Sequence, residues 1–314
     1  MSTTESTTRI LLDRSIFNGK DFAELKAIPF KALDSAGVLH VHVTPMLVAE
    51  TLGLWLRDGS TVEVREHLQF ISRITKKRWF NDNFAIFKDE LCAKTLRSDY
   101  HLLPKETQAI WQQEISAIVA GGTARDKLTQ RVREKVQKEQ TRARNLREIG
   151  KRVRADIATK FRMARPDAKL SQVDVREAWN IVSQNNLDEF GKGLIVRRPL
   201  YRAGRREMAI TRWLQQKERC PYFTDWVKGL LYMQFYAGRH QSSPLDENAQ
   251  ADIQHLIYLR HADVMVSEEK GFMRQAFVDL YESQGKQYWN VADLENFVTE
   301  RSQLCEKEVI GSPN

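Results

Sequence analysis

Apolar positions follow two different periods along this chain, and the change of period maps its organisation. RILLDRSIF is a short β-prone run closed by Asp13, and it is followed by Phe22, Leu25 and Ile28 at helical spacing, with Pro29 set to end or kink that helix. GVLHVHV then alternates as a strand carrying the β-branched Val38, Val41 and Val43. Thr44 and Pro45 form a helix start, a hydroxyl cap followed by a proline whose missing N–H costs nothing at the first helical position. The helix they open, PMLVAETLGLWLRDG, is mostly apolar, and its one early acid is Glu50.

From about residue 76 the pattern becomes helical and basic. Arg125 to Lys169 holds 16 Lys or Arg against 6 Asp or Glu, a net +10 that exceeds the charge of the whole chain. Leu128, Val132, Val136, Ala143, Leu146, Val153, Ile157 and Phe161 leave a narrow apolar stripe on this cationic surface, as long helices with a break near Gly150 would. Such a surface either contacts phosphates or is a solvated arm packed by one edge. Between Gly193 and Trp226, Arg197, Arg198, Arg202, Arg205, Arg206 and Arg212 interleave with Tyr201, Trp213, Tyr222 and Trp226. Cations and aromatics together suit single-stranded nucleic acid, but aromatics at helical spacing more often form core, and core is the reading adopted.

GRHQSSPLDENAQ reads as a returning loop, after which the α/β rhythm resumes. AQADIQHLIYLRHA is a helix opening around Asp252, DVMVS a strand running into acids, GFMRQAFVDLYESQG a helix, and KQYWNVADLENFVTE a strand and a helix. The expected architecture is therefore α/β with a mainly parallel sheet, built from residues 1–75 and 245–314 and interrupted by a basic all-helical insertion over 76–244.

Composition narrows the setting. With 42% hydrophobic and 29% charged residues and no long uncharged apolar run, the chain is expected to be water-soluble and to have no membrane partner. MSTTESTTRILLD carries no secretory pattern, and Cys92, Cys220 and Cys305 have no zinc-site spacing, so a reduced, cytoplasmic location is expected. A net charge of +8 and a pI near 9.3 favour an anionic partner, since Lys and Arg on phosphates release condensed counterions.

Four acids stand out by position: Asp13 after the first strand, Glu50 in the apolar helix, Asp252 at a helix start and Glu269 just past a strand. Ligands of open parallel sheets bind beyond the carboxyl ends of strands, which would bring Asp13 and Glu269 to one edge. Glu50 needs a partner, because an acid in apolar surroundings is costly to bury. A hard divalent cation, Mg²⁺ or Mn²⁺, would let crowded carboxylates stay ionised. Each acid alone also has an ordinary reading: Asp13 capping a turn, Asp252 capping a helix, Glu268 and Glu269 as first-turn acids. His40 and His42, two apart on one strand face, are read as structural, as is His255, expected to pack or hydrogen-bond beside the site rather than coordinate metal.

RILLDRSIF, VTPMLVAETLGLW and above all DIQHLIYLRHADVMVSEEKGF resemble the PIN-domain nucleases over residues 9–72 and 246–300, with the middle outside the resemblance. Asp13, Glu50 and Asp252 match family acids, Ser15 the small polar position after the first acid, and Ser267 stands where the family usually has Thr. Glu269 stands where the family usually has Asp; strand alternation carried on from Ser267 selects it over the adjacent Glu268, which is then expected to point to solvent or to a cationic neighbour. The resemblance implies a three-layer α/β/α fold and Mg²⁺- or Mn²⁺-dependent phosphodiester hydrolysis, most often of RNA, with the acids holding the ions. A non-catalytic nucleic-acid-binding or scaffold protein with a degenerate site, and a DNA nuclease, are the alternatives. A protein partner or self-association stays open.

In this reading Arg142, Arg144, Arg147, Lys151, Arg152 and Arg154 grip RNA. Replacing all six with Gln should weaken RNA binding and flatten its salt dependence by about one unit of log-log slope for each phosphate no longer neutralised. Filter-binding titrations at several salt concentrations read this out, and an unchanged slope would assign that face to solvent.

Overall fold

The apolar runs at the two ends of the chain become neighbouring strands of one all-parallel sheet in the computed structural model, which describes residues 7–58, 61–75, 78–120, 155–197, 203–239 and 248–310 and the single positions 130 and 134. Strands β1 (Thr8–Leu12), β2 (Leu39–His42), β3 (Val264–Val266) and β4 (Gln287–Trp289) lie in the order β2-β1-β3-β4. Ile10, Leu11 and Leu12 pair with Val264, Met265 and Val266. Arg9 clamps the start of this pair: its Nε and Nη2 donate to the two carboxylate oxygens of Asp263 at 3.0 and 2.8 Å.

Helices α1 (Gly19–Ala27), α2 (Phe30–Ser35), α3 (Pro45–Asp58), α4 (Thr61–Thr75), α5 (Asn83–Cys92) and α6 (Lys105–Val119) precede the basic stretch. After it come α7 (155–164), α8 (Val175–Arg197), α9 (Ala203–Gln215), α10 (Pro221–Arg239), α11 (Ala249–Leu256), α12 (Phe272–Leu280) and α13 (Val291–Ile310). The start signals behave as their chemistry requires. Thr44 Oγ1 accepts the Leu47 N–H at 3.2 Å to cap α3, and Pro29 separates α1 from α2.

Strand alternation divides the core in two. Ile10, Leu12, Val264 and Val266 pack with Phe22 and Leu25 of α1, Leu68 and Ile71 of α4, Trp111 and Ile115 of α6, and Leu294 of α13. Leu11 and Met265 point the other way, into a cluster with Phe87 of α5, Trp226 of α10 and Phe277 of α12. Helical side chains thus cover both faces, an arrangement compatible with three α/β/α layers. Each fully buried Leu or Ile contributes about 2 kcal/mol, so a one-residue slip that exchanged the faces would be expensive.

The described part of the middle is largely helical, and its side chains join the two clusters that cover the sheet. Ile157 and Phe161 of α7 and Trp179 of α8 join the cluster of Leu11 and Met265, while Trp111 of α6 joins the other face. Trp213, Tyr222 and Trp226 are buried core side chains, which removes them as base-stacking platforms. Arg212 donates to the carbonyls of Glu90 and Ala93, closing the end of α5. Arg198, Tyr201, Arg202 and the six proposed RNA-gripping residues from Arg142 to Arg154 lie outside the described residues. Among the described residues no helix is long and apolar enough to cross a membrane, and Cys92 and Cys220 are free thiols.

Buried Glu90 joins α5 to α10. Its carboxylate accepts the Tyr222 and Phe223 N–H groups at the start of α10 and the Tyr100 hydroxyl. Burial still outweighs these bonds and pushes the carboxyl from the ordinary glutamate range up to about 7. The folded state therefore binds a proton that the unfolded chain releases near pH 4.5, and stability falls as pH rises through 7. Between pH 6 and 8 the loss should be about 1 kcal/mol. Asp225, pushed up only to about 6, acts mainly below that window, whereas His261 and His42, pulled down to about 4 and about 3, act in the opposite sense and add stability as pH rises through the ordinary histidine value of 6.5. Urea unfolding at pH 6 and 8 should show Glu90→Gln losing about 1 kcal/mol less stability between the two values than the unmutated protein does, and equal changes in the two proteins would remove Glu90 as a contributor.

Candidate metal centre

Because β2 lies on one side of β1 and β3 on the other, the sheet order reverses at the β1/β3 junction, and the crevice beyond these strand ends is where open α/β sheets bind ligands. Asp13 is the first residue past β1 and Ser267 the first past β3. The Asp13 N–H donates to the Val266 carbonyl at 2.9 Å, which holds the two ends together.

Asp13 is only 6% exposed. Its Oδ2 accepts from the Ser15 hydroxyl at 2.6 Å, the Ser15 N–H at 3.2 Å and the Ser267 hydroxyl at 2.9 Å. All three donors crowd one oxygen, and none among the described residues reaches Oδ1. The same hydroxyls organise the loop after β3: Ser15 Oγ accepts the Glu268 N–H and Ser267 Oγ the Glu269 N–H. Asp13 also does what its ordinary reading said, capping the 3-10 turn Arg14–Phe17 through Ser15.

Glu50 on α3 and His255 on α11 reach the same place. One ligand atom from each of Asp13, Glu50 and His255 lies within 4.8 Å of the other two. His255 is 1% exposed, and its Nε2 stands 3.5 Å from Glu50 Oε1. Its Nδ1 lies 3.4 Å from Thr44 Oγ1, the atom that caps α3. No Lys or Arg among the described residues forms a salt bridge with Asp13 or Glu50. Two carboxylates and an imidazole with ligand atoms facing one another are a donor set that fits a divalent cation.

The other expected acids stand apart from this group. Asp252 lies in the first turn of α11, three residues before His255, and Glu269 is exposed in the loop after β3. Both carboxylates act electrostatically on Tyr288, as Asp13 does, and burial with these charges pushes the Tyr288 phenol well up, so it stays a donor. Tyr288 donates to the Glu269 carbonyl at 2.9 Å, and the Arg274 guanidinium lies over its ring at 5.2 Å. Strand alternation selects no acid here, because β3 ends at Val266, before Ser267. Glu268 instead turns to α13, where its Oε1 accepts the Val291 N–H at 3.0 Å.

The chain matches no family model, no curated protein and no solved structure.

His255 is the residue that sequence reasoning set aside. Its signal was present in Asp252 and His255 at i, i+3, a spacing that puts both on one helix face. His40 and His42 belong elsewhere: His40 lies 3.7 Å from Asp34, and His42 stacks on Phe80, where burial pulls its pKa down to about 3.

Glu268→Ala should lower stability by about 1 kcal/mol, the scale of a lost helix cap, with Mn²⁺ affinity unchanged. Thermal unfolding beside a Mn²⁺ titration measures both, and lost affinity at unchanged stability would put Glu268 in the cation site.

Proposed function

We propose that this protein is a metal-dependent phosphodiesterase of the PIN-domain type, an endoribonuclease using Mg²⁺ or Mn²⁺. The observation that carries the reading is the convergence of Asp13, Glu50 and His255 at the β1/β3 edge, with neither carboxylate in a salt bridge to a Lys or Arg among the described residues. The motif resemblance and the four-stranded parallel sheet with an acid after its first strand support it.

In this reading the chain's own residues act by position. Ser15 and Ser267 fix the Asp13 rotamer through Oδ2 and leave Oδ1 for the cation. Glu50 and His255 supply the facing ligand atoms, and Asp252 and Glu269 add negative potential around them. Arg274, exposed and held over Tyr288, is placed to meet a substrate phosphate. The bound cation would supply a water activated at neutral pH and Lewis-acid stabilisation of the departing oxygen.

The 3.5 Å approach of His255 to Glu50 favours one second reading. A protonated imidazole there would balance the carboxylates without any cation, leaving a binding or scaffold protein.

Incubation with labelled RNA, single-stranded DNA and duplex DNA, in Mn²⁺, Mg²⁺ or chelator, separates these readings. RNA cleavage that needs the cation is expected, and Asp13→Asn should reduce it at least about a hundredfold while the protein stays folded, because the change removes charge but nearly conserves shape. Cleavage of DNA alone would change the substrate class. Binding without cleavage under every condition would establish the scaffold reading.

A further inference from the structure

We propose that His255 is a direct cation ligand and that its imidazole nitrogen makes the site prefer a first-row transition ion, with Mn²⁺ as the working case, over Mg²⁺. The inference rests on the reading of Asp13 and Glu50 as a cation site and goes beyond it in naming the third ligand and the class of ion.

Three features of the site carry it. His255 is buried on α11, with Ile253 and Leu256 in the core on either side, so its ring is held where the helix puts it. Thr44 Oγ1 then faces Nδ1, while Nε2 faces Glu50 Oε1. With the ring proton on Nδ1 and directed at Thr44, the Nε2 lone pair points to the carboxylate side, the tautomer a metal ligand needs. Thr44 is itself fixed, because its hydroxyl oxygen accepts the Leu47 N–H.

The second feature is Asp13, 94% buried by its 6% exposure, whose Oδ1 takes no hydrogen bond from the described residues while three donors occupy Oδ2. An oxygen that takes no protein donor, on a carboxylate otherwise enclosed and held by three donors, is open to a cation or water. The third is the mixed donor set. Mg²⁺ keeps an oxygen shell and dehydrates reluctantly, whereas imidazole suits the later divalent ions of the first transition row, and Mn²⁺, the first of that row and at home among carboxylates, accepts one nitrogen more readily than Mg²⁺ does. One nitrogen within 4.8 Å of two carboxylate oxygens therefore shifts the balance away from Mg²⁺.

Calorimetry on the full chain with MnCl₂ and with MgCl₂, joined to pulsed EPR of the Mn²⁺-loaded protein, tests this. Mn²⁺ should bind at least about tenfold more tightly than Mg²⁺, and the EPR should show coupling to an imidazole nitrogen. His255→Gln should remove that coupling and weaken Mn²⁺ binding by about tenfold or more, with a smaller change for Mg²⁺. Thr44→Val, which frees the ring, should weaken Mn²⁺ binding to a lesser degree. If His255→Gln does not fold, the nitrogen coupling in the unmutated protein still decides. Equal affinity for the two ions, absence of nitrogen coupling, or no binding of either ion overturns the proposal. Nitrogen-coupled Mn²⁺ without RNA cleavage would sink the nuclease reading alone. Equal cleavage with both ions and no nitrogen coupling would sink this inference alone.

Discussion

The parallel pairing of β1 with β3 joins residues about 250 positions apart, and everything else in the molecule is arranged around it. Parallel neighbours need a crossover, and a sheet with both faces buried needs a cover on each side. The long middle of the chain answers both needs. Among the described residues, its helices contribute apolar side chains to the two clusters that cover the sheet. The Arg9–Asp263 pair marks the start of the two strands, and Asp13 with Ser267 marks their end. Polar atoms are thereby confined to the rims of an apolar layer, and one rim holds Asp13, Glu50 and His255.

Local chemistry made the elements legible. The Thr44–Pro45 start, the Pro29 break and the short runs around Leu11 and Met265 all act over a few residues, so their effect was visible in the sequence. Exposed Glu269 and buried His255 were harder, because their roles depend on α3 and α11 meeting across some 200 residues. An imidazole in the run DIQHLIYL looks like core, and by burial it is; only the approach of Glu50 gives it another use. Glu268 and Glu269 could not be separated by alternation, since the strand stops before them. What distinguishes Glu268 is the Val291 N–H, a partner 23 residues ahead.

The boundary expected near residue 76 rests on a change of composition, and composition tracks solvent exposure. The stripe that includes Ile157 and Phe161 is narrow because one edge is enough to fasten a helix to the core. Its opposite, charged face is free of that duty. The aromatics from Trp213 to Trp226 took the other course and went wholly inside, with Arg212 spent on closing α5 rather than on a ligand.

Division of the site between distant parts of the chain has a consequence during synthesis. Domains are made from the N-terminus onward, so Asp13 and Glu50 leave the ribosome long before His255. Until residues 264–266 arrive, β1 lacks the neighbour that gathers the ligands at its end, and one of its edges is open. A nascent or truncated chain ending before α11 therefore carries two acids and no assembled centre. In the proposed reading, the catalyst comes into being only after α11 and β3 have been made, and a message broken before them yields an inert fragment rather than an unregulated one.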